Sequence, residues 1–258
     1  MFHQTAVSPP RTASVPNIKS AEAALTLRDL FKGQPTHAYS ADEAIFWEGD
    51  PAGQIFDIVE GVLRVFRVLS DGRRAIVGFV YPGDVFGVSF QNRYLFTAEA
   101  VTDVRVRCFS RGRFFSLVNE SPALRPQLFA LLCDEMSAAQ DQMLLLGRKN
   151  AEERVVSFLL ATHHKSAVGN DIALPMSRLD MADYLGLTME TVSRVMTSLT
   201  RRGLIAAGGR HTLTLRRPSA LREIARNDDG EDAQSDSSPV RRAVWPCSSG
   251  ARPANLLD

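Results

Sequence analysis

The chain contains 258 residues, of which 45% are hydrophobic and 23% are charged, and both proportions are ordinary for a globular protein. No stretch approaches the roughly 18–20 uninterrupted apolar residues of a membrane span, and the N-terminal residues lack the apolar core of a secretory signal. The three cysteines, Cys108, Cys133 and Cys247, are too few and too far apart for a disulfide framework or a local metal cluster. We therefore expect a cytoplasmic protein that does not contact the membrane, and the length suggests two domains or one domain with appendages.

The formal net charge of +1 conceals an uneven distribution of charge. Residues 1–147 carry 14 basic and 16 acidic side chains, residues 148–226 carry 13 and 7, and residues 227–258 carry 3 and 6. A basic module between two acidic regions indicates a polyanionic partner.

The first half of the chain has the pattern of an antiparallel β-structure. Residues 1–21 are polar and rich in Pro and Ser, which predicts a flexible arm. Residues 36–112 contain short runs of β-branched and aromatic residues, separated by turn sequences such as Glu60-Gly61 and Ser70-Asp71-Gly72. Turns that recur about every 8–12 residues predict an antiparallel sandwich or roll.

A long helix is expected next, over residues 119–150. Its apolar residues recur at alternating spacings of 4 and 3, which is the heptad seam that a helix needs to pair with a copy of itself. An amphipathic helix that packs only on its own domain would show the same spacing. The candidate residues of a dimer interface are Leu132, Met136, Ala139, Met143 and Leu146. Asn150 follows them at the end of the seam. An apolar seam tolerates such a polar residue, which can fix the register of the two paired helices.

The helical module over residues 151–226 satisfies the requirements of a helix-turn-helix. Ala182 is small where the first helix meets the second, and Gly186 supplies a turn residue that tolerates positive φ. Thr188 is placed to cap the N-terminus of the second helix. The apolar stripe that this helix must bury is formed by Val192, Val195 and Leu199.

The opposite face of the second helix carries side chains suited to reading base edges. These are Glu190, Ser193, Arg194 and Thr197, at spacings that place them on one face. Arginine can donate two hydrogen bonds to guanine, glutamate can accept one from cytosine, and serine can contact several bases. The alternative is a solvated face in which Glu190 and Arg194 form a salt bridge.

Downstream residues predict a β-hairpin wing whose turn is made by Gly208-Gly209, followed after residue 226 by a disordered tail over 227–258. The candidate DNA-phosphate contacts are Thr188, Arg201, Arg202 and Arg210, which would position the protein without specifying sequence. Scattered surface arginine is the alternative for this set.

Taken in this order, the modules resemble the CRP/FNR family of bacterial transcription regulators, and the FixK/FNR branch in particular. The resemblance is carried by residues 96–100 (FTAEA), 144–154 (LLLGRKNAEER) and 183–194 (DYLGLTMETVSR). It implies an α+β fold with a cyclic-nucleotide-binding-like β-roll as a sensor-like domain over residues 22–118. A dimerisation helix (119–150) and a winged helix-turn-helix DNA-binding domain (151–226) would follow.

The same resemblance implies a homodimer that binds double-stranded DNA at a palindromic site and recruits RNA polymerase, mostly as an activator. In the FixK/FNR branch a Glu-x-x-Ser-Arg pattern reads inverted repeats with TTGA-type half-sites. Carried over to this chain, Glu190, Ser193 and Arg194 would read those bases.

Departures from the family pattern bear on the effector. Members that bind cyclic nucleotides have a Glu after Gly and an Arg-Ser/Thr-Ala run, where this chain has Gly87-Val88 and Phe96-Thr97-Ala98, with Arg93 as the only nearby substitute. A buried phosphate without its arginine would be costly. Because no cysteine precedes Cys108, an FNR-type iron–sulfur cluster lacks its ligands. We therefore expect a FixK-type regulator without a cofactor.

Two other classes of function are alternatives to a FixK-type regulator without a cofactor: a sensor of the same family and an enzyme. A haem- or nitric-oxide-responsive sensor of the same family would use ligands from His3, His37, Met136 or Met143, and Cys133 would respond to oxidants. An enzyme is not expected, because the chain contains no Ser-His-Asp order, phosphate-binding loop or HExxH-like pair.

Overall fold

The structure is a computed structural model that describes residues 25–166, 169–209 and 211–226. The predicted arm over residues 1–21 and the predicted tail over residues 227–258 lie outside the described residues. Arg210, one of the candidate phosphate contacts, also lies outside them.

The N-terminal domain is a roll of two four-stranded antiparallel sheets, with strand orders β1-β8-β3-β6 and β2-β7-β4-β5. A 3-10 helix (Leu27–Phe31) precedes the roll. The strands are β1 (Thr36–Tyr39), β2 (Ala44–Phe46), β3 (Gln54–Glu60), β4 (Leu63–Val68), β5 (Arg74–Val80), β6 (Val85–Phe86), β7 (Thr97–Ala100) and β8 (Val104–Ser110).

The turn between β3 and β4 requires glycine. Gly61 has φ +87°, and a Cβ atom placed on it would lie 2.3 Å from the carbonyl oxygen of Asp103. The left-handed backbone and the close approach of a neighbouring chain segment both exclude a side chain here. The turn predicted from Glu60-Gly61 is confirmed.

Aromatic rings fill the interior of the roll. Phe46 stacks on Tyr94 with 3.8 Å between ring centroids, and it also stacks on Phe56 at 5.5 Å and on Phe86 at 6.1 Å. All four side chains are at least nine-tenths buried. Stacked aromatic pairs contribute stability beyond the area they bury.

Two helices follow the roll where sequence analysis expected one. A separate helix, α1 (Arg111–Glu120), precedes α2 (Arg125–Arg148), and the break falls at Ser121-Pro122. The residue before a proline disfavours the helical conformation, which separates the two helices.

The prediction that Asn150 lies at the end of the helical seam was wrong, because this residue lies beyond the end of α2. Its side-chain oxygen accepts hydrogen bonds from the N–H groups of Glu152 (3.0 Å) and Glu153 (3.1 Å). Asn150 therefore caps the next helix and does not lie within the helical seam.

The C-terminal domain is a winged helix-turn-helix. Its elements are α3 (Ala151–Ser166), β9 (Asp171–Ala173), α4 (Arg178–Leu185), α5 (Met189–Arg201), β10 (Ile205–Gly209), β11 (Thr212–Leu215) and α6 (Pro218–Arg226), and the sheet order is β10-β11-β9. The prediction that Gly208-Gly209 makes the hairpin turn was wrong, because both glycines lie in β10. Beyond them, His211 takes the positive φ of 116°, and the register of β10 shifts between Ala207 and Gly209.

The two domains share one hydrophobic core. Phe79 of β5 contacts Phe158 of α3 at a centroid distance of 6.0 Å and Tyr184 of α4 at 5.6 Å. Phe66 and Ile76 of the roll belong to the same buried cluster. The helix-turn-helix is therefore packed against the sheet that contains β4 and β5.

Candidate nucleic-acid interface

The first helix of the helix-turn-helix, α4, is capped by side chains at its N-terminus and by a glycine backbone at its C-terminus. The hydroxyl of Ser177 accepts a hydrogen bond from the N–H of Asp180, and the carboxylate of Asp180 accepts one from the N–H of Ser177. At the other end Gly186 has φ +60° and a left-handed backbone. Ala182 is only 1% exposed, as expected where α5 crosses α4.

The second helix, α5, buries one face and exposes the other. Thr188 caps its N-terminus by accepting a hydrogen bond from the N–H of Thr191 at 3.2 Å, which confirms the predicted cap. Val192 and Leu199 are fully buried, and the third buried residue is Met196 where Val195 was expected. Val195 lies at the edge of the buried face, one position before Met196.

The four candidate base-reading residues are all exposed on the outer face of α5. The pKa of Glu190 is lowered by hydrogen bonds from its own backbone N–H and from Thr188, and to a smaller degree by the charge of Arg194. Glu190 is therefore an anion at neutral pH and can accept hydrogen bonds. Thr197 is partly committed, because its hydroxyl donates to the carbonyl of Ser193 at 2.9 Å.

The candidate phosphate contacts have different surroundings. Arg201 is exposed and lies seven residues after Arg194, which places it on the same face of α5. Arg202 forms an ion pair with Glu152 of α3. The hydroxyl of Thr188 is used in the cap, and it is positioned at the start of α5. Their contacts with DNA stay predictions.

A residue that supports the helix-turn-helix from behind, and that was not predicted from the sequence, is Arg154 of α3. Its guanidinium donates to the carbonyl oxygens of Lys149 (2.8 Å), Leu146 (2.9 Å) and Leu185 (3.1 Å). It thus joins the end of α2 to the end of α4. The stretch 144–154 contained this arginine, but the sequence does not show which carbonyl groups it would meet.

The outward face of α2 is apolar. Met136 is 57% exposed and Met143 is 65% exposed, and Ala139 lies between them. Phe129, which is 67% exposed, lies three residues before Leu132 and extends the seam towards the N-terminus. The face thus includes a large aromatic residue that the predicted interface omitted, although the 3–4 spacing pointed to it.

Leu146, the last residue of the predicted seam, is 39% exposed and has a second role inside the chain. Its Cδ2 atom lies 3.3 Å from where a Cβ atom on Gly186 would be. The end of α2 therefore reaches the turn of the helix-turn-helix.

The roll positions at which this chain departs from the cyclic-nucleotide pattern make contacts within the protein. A Cβ atom on Gly87 would lie 3.0 Å from the ring of Phe56. The hydroxyl of Thr97 accepts a hydrogen bond from the N–H of Glu48, and the guanidinium of Arg93 donates to the carbonyl of Gly49 at 2.6 Å. These groups are engaged with the protein itself.

The other candidate sensor residues are dispersed over the structure. His37 is exposed on β1, Met136 and Met143 are on α2, and Cys133 is exposed beside the seam. Among residues 25–166, 169–209 and 211–226, no three His, Cys, Asp or Glu side chains gather in an arrangement that could hold a metal ion. Within the same ranges, no helix has the length and apolar character needed to cross a membrane.

Two family models match the chain, on either side of α2. One, described as a cyclic nucleotide-binding domain, matches residues 36–121, and the other, described as a Crp-like helix-turn-helix domain, matches residues 153–224.

Curated relatives extend these matches. The transcriptional activatory protein AadR of Rhodopseudomonas palustris is 43% identical over 171 residues, which are 65% of this chain and 72% of that protein. The nitrogen fixation regulation protein FixK of Bradyrhizobium diazoefficiens is 42% identical over 195 residues, which are 73% of this chain and 82% of that protein. This chain belongs to the CRP/FNR family of transcription regulators.

A solved structure agrees with the placement in the CRP/FNR family. FixK2 from Bradyrhizobium japonicum superposes with a TM-score of 0.72 and 38% identity, and the match covers 79% of this chain and 99% of that one. The fold class expected from the sequence is confirmed. As a CRP/FNR family member with FixK-type relatives, the protein is a DNA-binding transcription regulator.

Proposed function

We propose that two copies of this chain bind an inverted repeat of TTGA-type half-sites and activate transcription by recruiting RNA polymerase, without a bound effector. The protein would work in the cytoplasm, and it would not be an enzyme. The observation that carries the proposal is the exposed face of α5, where Glu190, Ser193 and Arg194 stand together while the opposite face is buried.

The chemistry of these three residues suits a TTGA half-site, because its G·C pair presents acceptors to an arginine and a donor to a glutamate. Arginine donates to O6 and N7 of a guanine, and a glutamate anion accepts from N4 of the cytosine paired with it. The lowered pKa of Glu190 keeps the carboxylate in the form that this contact needs.

The outward face of α2 supports the dimer. Phe129, Met136 and Met143 are each more than half exposed in the single chain. A contiguous apolar face on an α-helix with heptad spacing is buried when two such helices associate. A dimer also matches the symmetry of an inverted repeat.

Contacts inside the roll support effector independence. The stacked rings of Phe46, Phe56, Phe86 and Tyr94 occupy its interior. Arg93, the one candidate for a phosphate contact in this region, donates to a backbone carbonyl.

The proposal is tested by a gel shift of purified, air-exposed protein, without added ligand, on a duplex that carries a TTGA-type palindrome. We expect one retarded complex whose stoichiometry is two chains per duplex. The control duplex has the same length and the same flanking sequence, with the guanine of each half-site exchanged for adenine, and it should bind at least about tenfold more weakly.

Equal affinity for the two duplexes would contradict base reading at this site. Binding that appears only after haem or nitric oxide is added would instead favour a sensor of the same family. The absorption spectrum of the freshly purified protein separates the two, because bound haem adds a Soret band to the protein spectrum.

A further inference from the structure

An ion-pair cluster joins the roll to the first helix of the helix-turn-helix. Arg64 on β4 and Arg74 on β5 both face the carboxylate of Asp180 on α4, at 3.5 Å and 3.1 Å. Arg74 also contacts Asp183, one turn further along α4, at 3.1 Å. We call these four residues the roll–α4 latch.

Two of the latch residues are buried, so breaking their ion pairs should cost more free energy than breaking ion pairs on an exposed surface. The side chain of Asp180 is 4% exposed and that of Arg64 is 8% exposed. Arg64 donates further hydrogen bonds to Asp42 and to Glu99, so its charge is compensated from several sides. A buried pair of this kind has a large penalty when one partner is removed, unlike an exposed surface pair.

The two oxygens of Asp180 have separate partners. Oδ2 accepts hydrogen bonds from the N–H and hydroxyl groups of Ser177, which caps α4. Oδ1 faces the two arginines of the roll. The carboxylate that starts α4 is therefore the same one that fixes α4 to the roll.

The other end of α4 is held by the end of the long helix α2. Gln142 donates to the carbonyl of Tyr184 at 2.7 Å, and Arg154 donates to that of Leu185 at 3.1 Å. The helix α4 is thus attached at its N-terminal end to the roll and at its C-terminal end to α2. Because α5 packs on α4 through buried residues, the orientation of α5 follows that of α4.

The latched arrangement leaves the DNA-reading face open. Glu190, Ser193 and Arg194 are exposed on α5, whereas the latch residues of α4 face the roll. We propose that Arg64 and Arg74 are positioning residues, which hold the helix-turn-helix in its DNA-competent orientation through Asp180 and Asp183 and so replace an effector.

This inference rests on the proposed effector-independent binding and names the contacts that would provide it. A regulator whose DNA-binding unit can reorient binds more weakly, because its apparent affinity is reduced by the fraction of molecules in the competent state. Loss of the latch should therefore weaken binding to every specific site while leaving the base preference unchanged.

The test uses Arg74→Glu and the matched control Arg73→Glu. Both change the charge by the same amount in the same hairpin. Among the residues that the structure describes, however, Arg73 forms an ion pair only with the exposed Asp71 near the hairpin tip. We expect R74E to lower the affinity for the TTGA-type palindrome about tenfold and R73E to change it less than about twofold. Adding Asp183→Arg to R74E places an arginine opposite the new glutamate and should recover part of the lost affinity, because that glutamate still faces the carboxylate of Asp180.

Amide hydrogen exchange, measured without DNA, tests the contact between the roll and α4 independently of DNA binding. In R74E the amides of α4 and those of β4 and β5 should all exchange faster than in R73E, because both sides of the contact are released. Unchanged exchange on both sides, no recovery in the double variant, or tighter DNA binding by R74E would each overturn the proposal. Failure of the wild-type protein to bind the palindrome would count against the proposed function alone, because the exchange result does not depend on DNA.

Discussion

At the scale of single residues, Arg194 and Arg201 form a natural comparison, because both are exposed on one face of α5 and lie about two turns apart. Arg194 follows Glu190 by one turn and is placed among the base readers. Arg201 is the last residue of the helix, where we expect its side chain to contact the DNA backbone. The same residue type thus has two different expected roles.

Replacing Arg194 with Ala should cost about 1–3 kcal/mol on the TTGA-type site and relax the preference at one base pair of each half-site. Replacing Arg201 with Ala should weaken binding to all sequences about equally and reduce the slope of log K against log salt by about 1. Titrations of duplexes varied at one base pair, at several salt concentrations, measure both effects. A uniform loss for R194A would contradict its assignment as a base reader.

At the scale of elements, the exposed face of α2 has a direct test in Met143→Glu. A charge placed in an apolar interface loses its hydration without gaining a partner. We expect the dissociation constant of the dimer to rise at least about 100-fold, which corresponds to about 2.7 kcal/mol.

The matched control is Ser137→Glu, which adds the same charge at an exposed position of α2 away from the seam. Sedimentation at a fixed protein concentration should find monomers of M143E and dimers of S137E. If M143E also sediments as a dimer, the contact between copies lies elsewhere than on this face.

Several caps and turns were predictable from the sequence because their signal is local. The cap at Thr188, the turn at Gly186 and the glycine turn at Gly61 each depend on a backbone conformation that nearby residues specify. The sequence predicted that Val195 is buried, whereas Met196 is the buried residue. Both residues lie at the border of the same apolar stripe, and only the packing of α5 on its neighbours decides which of them is buried.

Contacts between distant segments were not predictable. Arg64 stands between two apolar residues of β4 and Arg74 is the first residue of β5, which are positions where a solvated arginine is also common. Nothing local indicates that they meet Asp180, because that contact depends on how the two domains pack. The same holds for Arg154, whose acceptors are backbone carbonyls of three different positions.

At the scale of the whole molecule, the shared core should make the roll and the helix-turn-helix unfold together. Phe79 of the roll is 8% exposed and lies between Phe158 and Tyr184 of the C-terminal domain. A buried ring in such a position couples the stability of the two domains, because either one exposes apolar surface of the other when it unfolds.

Replacing Phe79 with Ala should therefore lower the free energy of unfolding by about 3–5 kcal/mol and separate one calorimetric transition into two. The control is Phe90→Ala, since Phe90 is 62% exposed on the roll and contacts mainly Phe115. It should cost less than about 1 kcal/mol and keep a single transition. Both variants must be compared at one protein concentration, because dimerisation stabilises the folded state by mass action. A single transition in F79A, with stability close to that of the wild type, would mean that the two domains are stabilised independently and that the core at Phe79 does not couple them.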